Sequence, residues 1–124
     1  MAGRRQSTLT ADAFAPARAR RLVTETCASA GLGALADTAA LLTSELVTNA
    51  VLHARQPPSL GVAVRDGQLV VDVADPDPAS PQVTWAGAHG EHGRGLAIVD
   101  ALADEWGVRE TPGGGKAVWF ALRT

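Results

Sequence analysis

The sequence of 124 residues has one cysteine, no long apolar run and no excess of basic charge. The single cysteine, Cys27, excludes an internal disulfide framework and a zinc site built from several cysteines. No apolar run approaches the roughly 18 residues of a membrane span, and no hydrophobic stretch follows the basic N-terminus as in a secretory signal. We therefore expect a cytoplasmic protein without membrane contact. The net charge of −2 argues against a general nucleic-acid-binding surface.

Apolar residues make up 46% of the sequence and charged residues 19%, which is the composition of a globular protein. A chain of this length buries roughly two-thirds of the surface that its unfolded form exposes, so one core is stable without disulfides or a structural metal. We expect a single domain over residues 1–124, with residues 1–6 as a loose tail. Cys27 is expected to be a small buried apolar residue.

Hydrophobic periodicity predicts three helices, over residues 15–30, 34–54 and 95–104. Pro16 suits the first turn of the first helix, and Pro57-Pro58 ends the second. The predicted inward-facing residues are Leu22, Val23, Thr26 and Ala30; Ala39, Leu42, Leu46, Val47, Ala50, Val51 and Ala54; and Leu96, Val99, Leu102 and Ala103.

Alternating apolar residues predict a hairpin of strands 60–64 and 69–74 around the turn Asp66-Gly67. A second pair, 106–110 and 116–122, flanks a glycine-rich turn, and residues 7–14 are a candidate edge strand. Residues 75–95 are predicted to form a long loop, a feature that is usually functional or disordered. This order predicts an α+β fold with helices on one face of a mainly antiparallel sheet.

The second predicted helix carries Glu45, Asn49 and His53 at i, i+4 and i+8, along one stripe. A solvated helix edge is the simplest explanation, but the flanking residues are apolar or small, and Asn is unfavourable inside helices. A carboxylate and an amide one turn apart can hold a hydrated Mg²⁺ or orient a hydroxyl group. Zinc bound by Glu45 and His53 is a rival hypothesis, although two turns separate these residues.

Asp75 ends a predicted strand before the long loop, where its carboxylate can accept a hydrogen bond from a base or ribose; a turn or cap residue is the alternative. Gly93-Arg94-Gly95-Leu96 opens the third helix, and its glycines allow backbone N–H groups to approach an anion. The dinucleotide fingerprint fails at Ile98, where its third glycine is required. A P-loop also fails, because Ala117 follows Gly115-Lys116.

These features occur in the order Glu45-x-x-x-Asn49-Ala50, Asp75 after a strand, Gly93-x-Gly95 opening a helix, and Gly114-Gly115-Lys116 before the last strand. Over about residues 8–122 they resemble the GHKL (histidine kinase-like) ATPase superfamily. The phrases LLTSELVTNAVLHA, HGRGLAIVDALADEWGV and GGGKAVWFAL are most similar to stand-alone anti-sigma-factor serine/threonine kinases of the actinobacterial type. The resemblance implies a Bergerat-type ATP-binding fold, a two-layer α/β sandwich with a mainly antiparallel mixed sheet and helices on one face.

The resemblance also implies roles for individual residues. Asn49 would bind Mg²⁺ and the phosphates, and Glu45 would be the catalytic base that accepts the proton of a target serine. Asp75 would accept a hydrogen bond from the adenine amino group of ATP or ADP. The phosphates would be bound by the segment Gly93, Arg94, Gly95 and Leu96, and Lys116 would add positive charge near them. His53 would accompany Asn49 at the site, and the resemblance assigns it no specific role. Residues 76–92 would form an ATP lid.

The implied activity is phosphorylation of an anti-sigma-factor antagonist, together with inhibition of a sigma factor and a homodimer formed through the N-terminal region. A departure favours an alternative, a catalytically weak or inactive ATP/ADP-dependent protein-binding module. The family motif Asp-x-Gly-x-Gly reads Asp75-Pro76-Asp77-Pro78-Ala79 here, so both glycines are missing. A nucleic-acid binder is a third hypothesis, which rests on the basic residues Arg4, Arg5, Arg18, Arg20 and Arg21; the same residues could contact an acidic protein.

Overall fold

The computed structural model describes residues 3–53, 56–76 and 93–124. Its elements confirm the predicted order of strands and helices. They are β1 (Gly3–Thr8), α1 (Ala15–Ser29), a 3₁₀ turn (Gly33–Leu35), α2 (Ala36–His53), β2 (Ser59–Arg65), β3 (Gln68–Asp75), α3 (Gly93–Leu102), β4 (Glu105–Glu110) and β5 (Lys116–Arg123). Within these ranges, no helix is long and apolar enough to cross a membrane.

The five strands form one sheet in the order β1-β2-β3-β5-β4. Every pair of neighbours is antiparallel. β5 lies between β3 and β4, which therefore run in the same direction without pairing with each other. The α+β fold with a mainly antiparallel sheet is therefore confirmed. The expectation of a mixed sheet is not met among the described strands, where all four pairings are antiparallel.

Side-chain alternation gives the sheet one face that packs against the helices and one face that carries none of the three described helices. On the packed face α1 contacts α2 and β2, α2 contacts β3 and α3, and α3 contacts β4. The packed strand residues, all buried, are Leu60 and Val62, Leu69, Val71 and Val73, and Val118, Phe120 and Leu122. The helices contribute Ala15, Ala19, Val23, Cys27, Ala39, Leu42, Leu46, Val47, Leu96 and Val99. The predicted core is confirmed at Val23, Ala39, Leu42, Leu46, Val47, Leu96 and Val99, and Cys27 is buried as expected, whereas Ala15 and Ala19 are core positions that were not predicted.

Two helical residues were expected to face inward and do not. Leu102 is 48% exposed. It lies about 120° around α3 from Leu96 at 100° per residue, outside the buried stripe, and it is the last residue of the helix. Ala30 is also exposed, because it caps the C-terminus of α1. Ala54, another predicted inward-facing residue, lies outside the described residues.

The first strand runs over Gly3–Thr8, so it overlaps the predicted range of 7–14 only at residues 7 and 8, and residues 9–14 are not a strand. Residues 3–6 therefore belong to the sheet, and the expectation of a loose tail over 1–6 is wrong for them. The strand pairs in continuous register with β2, from Gly3 opposite Val64 to Thr8 opposite Ser59. Its sequence, GRRQST, has no alternating apolar residues, so hydrophobic patterning could not indicate it.

An ion pair on the helix-free face holds β1 to the middle of the sheet. Arg4 Nη1 and Nη2 donate to Asp72 Oδ2 and Oδ1 over 2.7 and 3.3 Å. The guanidinium crosses β2 at Gly61, where a Cβ would overlap Nη2. Arg109 Nη2 stands 3.9 Å from Asp72 Oδ2. The hydrogen bond with Asp72 raises the pKa of Arg4 above its ordinary value.

Candidate functional site

Helix α2 presents Glu45 and Asn49 beside its buried stripe. Both residues are half-buried, while Leu42 and Leu46 of the same helix are in the core. Their i, i+4 spacing on a continuous helix places them one turn apart on one side of α2. His53 is the last residue of α2, and its side chain lies outside the described residues.

Asp75 is the last residue of β3 and is half-buried. Leu69, Val71 and Val73 of this strand face the helices, so alternation places Asp75 on the same side of the sheet. The structure therefore puts the Asp75 carboxylate on the face against which α2 packs. This end of the sheet, where β3 ends and β5 begins, is called the Asp75 end below.

Lys116 lies directly across from Asp75 in the β3–β5 ladder and across from Glu110 in the β4–β5 ladder. Its ammonium donates to Glu110 Oε1 over 2.9 Å, and this hydrogen bond lowers the pKa of Glu110 below its ordinary value of 4.5. The charge of Lys116 is thus already partnered at the Asp75 end. Its predicted contribution near the phosphates stays a prediction.

Helix α3 opens at Gly93, two residues earlier than predicted. The first turn of a helix has backbone N–H groups without intrahelical acceptors, and the helix dipole favours an anion there. Leu96 is buried in the core, so only its backbone can take part in ligand binding. The side chain of Arg94 lies outside the described residues, as do residues 77–92 of the predicted lid.

The chain connections direct two of the predicted residues, Gly93 and His53, toward the Asp75 end of the sheet. α3 leads into β4 at the opposite end of the sheet, where Asp104 N–H donates to Ala121 O over 3.0 Å. Gly93 is therefore at the end of α3 remote from that junction. His53 is the C-terminal residue of α2, and β2 begins only six residues later, at Ser59. Ser59 lies opposite Ala74, at the Asp75 end of the sheet.

The donor set fits a hydrated Mg²⁺ better than a metal bound wholly by protein. Mg²⁺ prefers oxygen ligands and usually keeps several waters alongside one or two side chains and substrate phosphates. The amide oxygen of Asn49 and the carboxylate of Glu45 are such ligands, one turn apart on α2. In the described ranges, no group of three or more His, Cys, Asp or Glu side chains is placed to hold a metal ion.

Sequence reasoning missed one contact at this site, between the β4–β5 turn and the end of β3. Gly115 is buried against the main chain of Asp75 and Pro76. The glycine-rich stretch before Lys116 indicated a turn, but nothing in it identified the strand that the turn touches.

A family model of the histidine kinase-like ATPase domain matches residues 9–122. The chain therefore belongs to this family, and membership implies nucleotide binding. An uncharacterized protein of Streptomyces coelicolor, SCO4941, is 40% identical in an alignment 72 residues long, which covers 54% of this chain and 69% of that protein.

The fold is also similar to a crystal structure of the RsbU and RsbW domains of Rv1364c from Mycobacterium tuberculosis. The TM-score is 0.71 at 23% sequence identity, over 98% of this chain and 32% of that one. This chain thus spans about a third of the matched structure, and the likeness at this identity concerns the fold. It confirms the α+β architecture expected from the sequence.

Proposed function

We propose that this chain is an ATP-dependent serine/threonine protein kinase of the anti-sigma-factor type, which regulates transcription by partner switching in the cytoplasm. The main support is the pair of half-buried residues Glu45 and Asn49 on α2, which packs against the strand that ends in Asp75. Two adjacent elements of one nucleotide-binding fold thus carry the carboxylate of Glu45, the amide of Asn49 and the carboxylate of Asp75, which is proposed to bind the base.

The proposed roles follow the chemistry of these groups. Asp75 accepts a hydrogen bond from the adenine amino group, and the first turn of α3 donates backbone N–H groups to the phosphates. Asn49 would hold Mg²⁺, and the bound metal would neutralise part of the phosphate charge. During transfer the serine oxygen bonds to the γ-phosphorus, the bond to the β–γ bridging oxygen breaks, and ADP leaves. Glu45 accepts the proton of the serine hydroxyl.

The proposed protein partners are an anti-sigma-factor antagonist, which receives the phosphate, and a sigma factor that is held inactive. The likeness in fold to a protein that contains an RsbW domain is consistent with this class of partner. A homodimer through the N-terminal region is part of the proposal, and the position of β1 at the edge of the sheet is compatible with it.

A second candidate is an ATP- or ADP-dependent binding module without catalysis. Pro76 favours it, because this residue follows Asp75 directly and fixes the backbone where the family motif continues toward two glycines. The two candidates share the nucleotide site and differ only in phosphate transfer.

The test compares nucleotide binding with transfer of label from γ-labelled ATP to a purified anti-sigma-factor antagonist. Glu45→Ala is expected to lower transfer by about 10²–10⁴-fold and to leave ATP binding nearly intact, since the base acts on the incoming hydroxyl. Asn49→Ala should impair both, and melting curves exclude a general loss of folding.

A wild type that binds ATP and its partner but transfers no label would leave only the binding module. Equal transfer by wild type and Glu45→Ala would remove Glu45 from its role. A folded wild type that shows no calorimetric signal with millimolar ATP and Mg²⁺ would contradict both candidates.

A further inference from the structure

The β4–β5 turn makes an unusually close contact with the strand end that carries Asp75. A Cβ built on Gly115 would overlap the carbonyl oxygen of Asp75 and would lie 2.8 Å from both Cα of Pro76 and Oγ1 of Thr111. Real Cβ atoms essentially never approach another heavy atom within 3.0 Å. Two of these three atoms are backbone, so they cannot rotate away as the end of a flexible side chain can.

The turn that contains Gly115 is stabilised by two backbone hydrogen bonds. Thr111 N–H donates to Gly115 O over 2.9 Å, and Gly114 N–H donates to Thr111 O over 3.0 Å. Beyond the turn, Lys116 pairs with Asp75 on one side and with Glu110 on the other. The turn therefore acts as a rigid support against the main chain of Asp75, and its position limits where the Asp75 carboxylate can lie.

We propose that Gly115 is a positioning residue for recognition of the purine base, because its contact with the main chain of Asp75 and Pro76 sets the position of the Asp75 carboxylate. This inference rests on the proposed function, in which that carboxylate accepts a hydrogen bond from the adenine amino group. Adenine carries a donor at C6, whereas hypoxanthine carries a carbonyl acceptor there. A fixed carboxylate favours the donor and repels the acceptor, and the strength of its hydrogen bond depends steeply on angle and distance.

Gly115→Ala is expected to push the turn and the strand end apart and to weaken ATP binding more than ITP binding. For the wild type, a hydrogen bond to a charged group predicts a preference for ATP over ITP of about tenfold or more. In Gly115→Ala this ratio should fall toward one. A merely structural role for Gly115 would lower both affinities in parallel and leave the ratio unchanged.

Gly113→Ala is the matched control, because it perturbs the same turn without contacting Asp75. Gly113 has φ +90°, which an alanine adopts only with strain, and a Cβ there meets no atom within 4 Å. This variant should lower the melting temperature while the ratio of ATP to ITP affinity stays at the wild-type value.

Calorimetry with Mg-ATP and Mg-ITP on the full chain gives both affinities. If Gly115→Ala keeps the wild-type ratio of ATP to ITP affinity, the inference is overturned. It is also overturned if the ratio falls equally in Gly113→Ala, because the effect would then follow from lower stability alone. A wild type that binds ATP and ITP equally also overturns it, while nucleotide binding stands. A wild type that binds neither contradicts the proposed function and the inference together.

If circular dichroism shows that Gly115→Ala does not fold, Thr111→Ala provides the test. It removes the side chain that fills the space beside Gly115 and adds no atom that could clash. The expected result is a partial fall in the ATP to ITP ratio, and an unchanged ratio in this variant overturns the inference.

Discussion

Replacing Arg4 by methionine should destabilise the protein more than replacing its partner Asp72 by asparagine. Arg4 is 42% exposed in its side chain, so it can be hydrated once the carboxylate is gone. Asp72 is 5% exposed in its side chain and cannot be hydrated in this way. Once Arg4 is gone, Arg109 is the only described residue within ion-pair range of the Asp72 carboxylate, at 3.9 Å. The two variants break the same contact, but Asp72→Asn leaves a partly exposed guanidinium, whereas Arg4→Met leaves a buried carboxylate.

The structure sets the size of both effects. Arg4→Met removes hydrogen bonds of 2.7 and 3.3 Å to a buried carboxylate. Loss of a bond to a charged group costs about 1.5–3 kcal/mol, and we expect about 2 kcal/mol because Arg4 is partly exposed. At an unfolding entropy of about 2.1 cal/mol/K per residue, this lowers the melting temperature by about 8 °C. Asp72→Asn keeps the shape and one acceptor and should cost about half as much.

Thermal and urea unfolding, followed by circular dichroism, measure the two single variants and the double variant. Because an asparagine at position 72 carries no charge that needs Arg4, the double variant should be more stable than the sum of the single losses predicts, by about 1 kcal/mol. Gly61→Ala, which displaces the guanidinium without removing it, should resemble Arg4→Met. Additivity within about 0.3 kcal/mol, or a larger loss in Asp72→Asn than in Arg4→Met, would refute this reasoning.

Three further predictions concern single side chains. Thr43 Oγ1 is buried and has no hydrogen-bond partner within the described residues, so Thr43→Val should raise the free energy of unfolding by about 1 kcal/mol; a lower urea midpoint would contradict this. The hydrogen bond from Lys116 lowers the pKa of Glu110, so the pair stabilises the fold at neutral pH and loses this effect as the pH falls below 4.5. Melting temperatures of wild type and Glu110→Gln should therefore converge in acid, and a constant difference would exclude the pair as its cause. Burial raises the pKa of the Cys27 thiol, so a thiol reagent at about pH 8 should label the protein only after unfolding in urea, and rapid labelling of the folded protein would show that the site opens.

Local patterns were sufficient to predict the parts of the fold whose causes are local. The β2–β3 hairpin follows from alternating apolar residues around Asp66 and Gly67, which adopt φ of 50° and 76° as a type I′ turn requires. α2 follows from its apolar stripe, and with it the placement of Glu45 and Asn49 one turn apart. In contrast, β1 is held by backbone pairing and by a contact between Arg4 and Asp72, residues 68 positions apart in the sequence. Such a partner leaves no local signal.

The Asp75 end of the sheet was only half predictable for the same reason. Asp75 was identified as the end of a strand, and Lys116 as the start of another. Their adjacency depends on the insertion of β5 between β3 and β4, which the spacing of the motifs does not specify.

The three glycines before Lys116 differ in whether their cause is local or distant in the sequence. Gly113 and Gly114 have φ of 90° and 92°, so the turn itself explains them, and a glycine-rich stretch between two strands is enough to predict that. Gly115 does not have a positive φ, and the space that its missing side chain leaves is filled by the main chain of another strand. Its identity is therefore dictated by Asp75 and Pro76, which lie far earlier in the sequence. Since the same strand end carries the carboxylate proposed to read the base, the requirement for glycine at 115 links the packing of the sheet to the chemistry of the site.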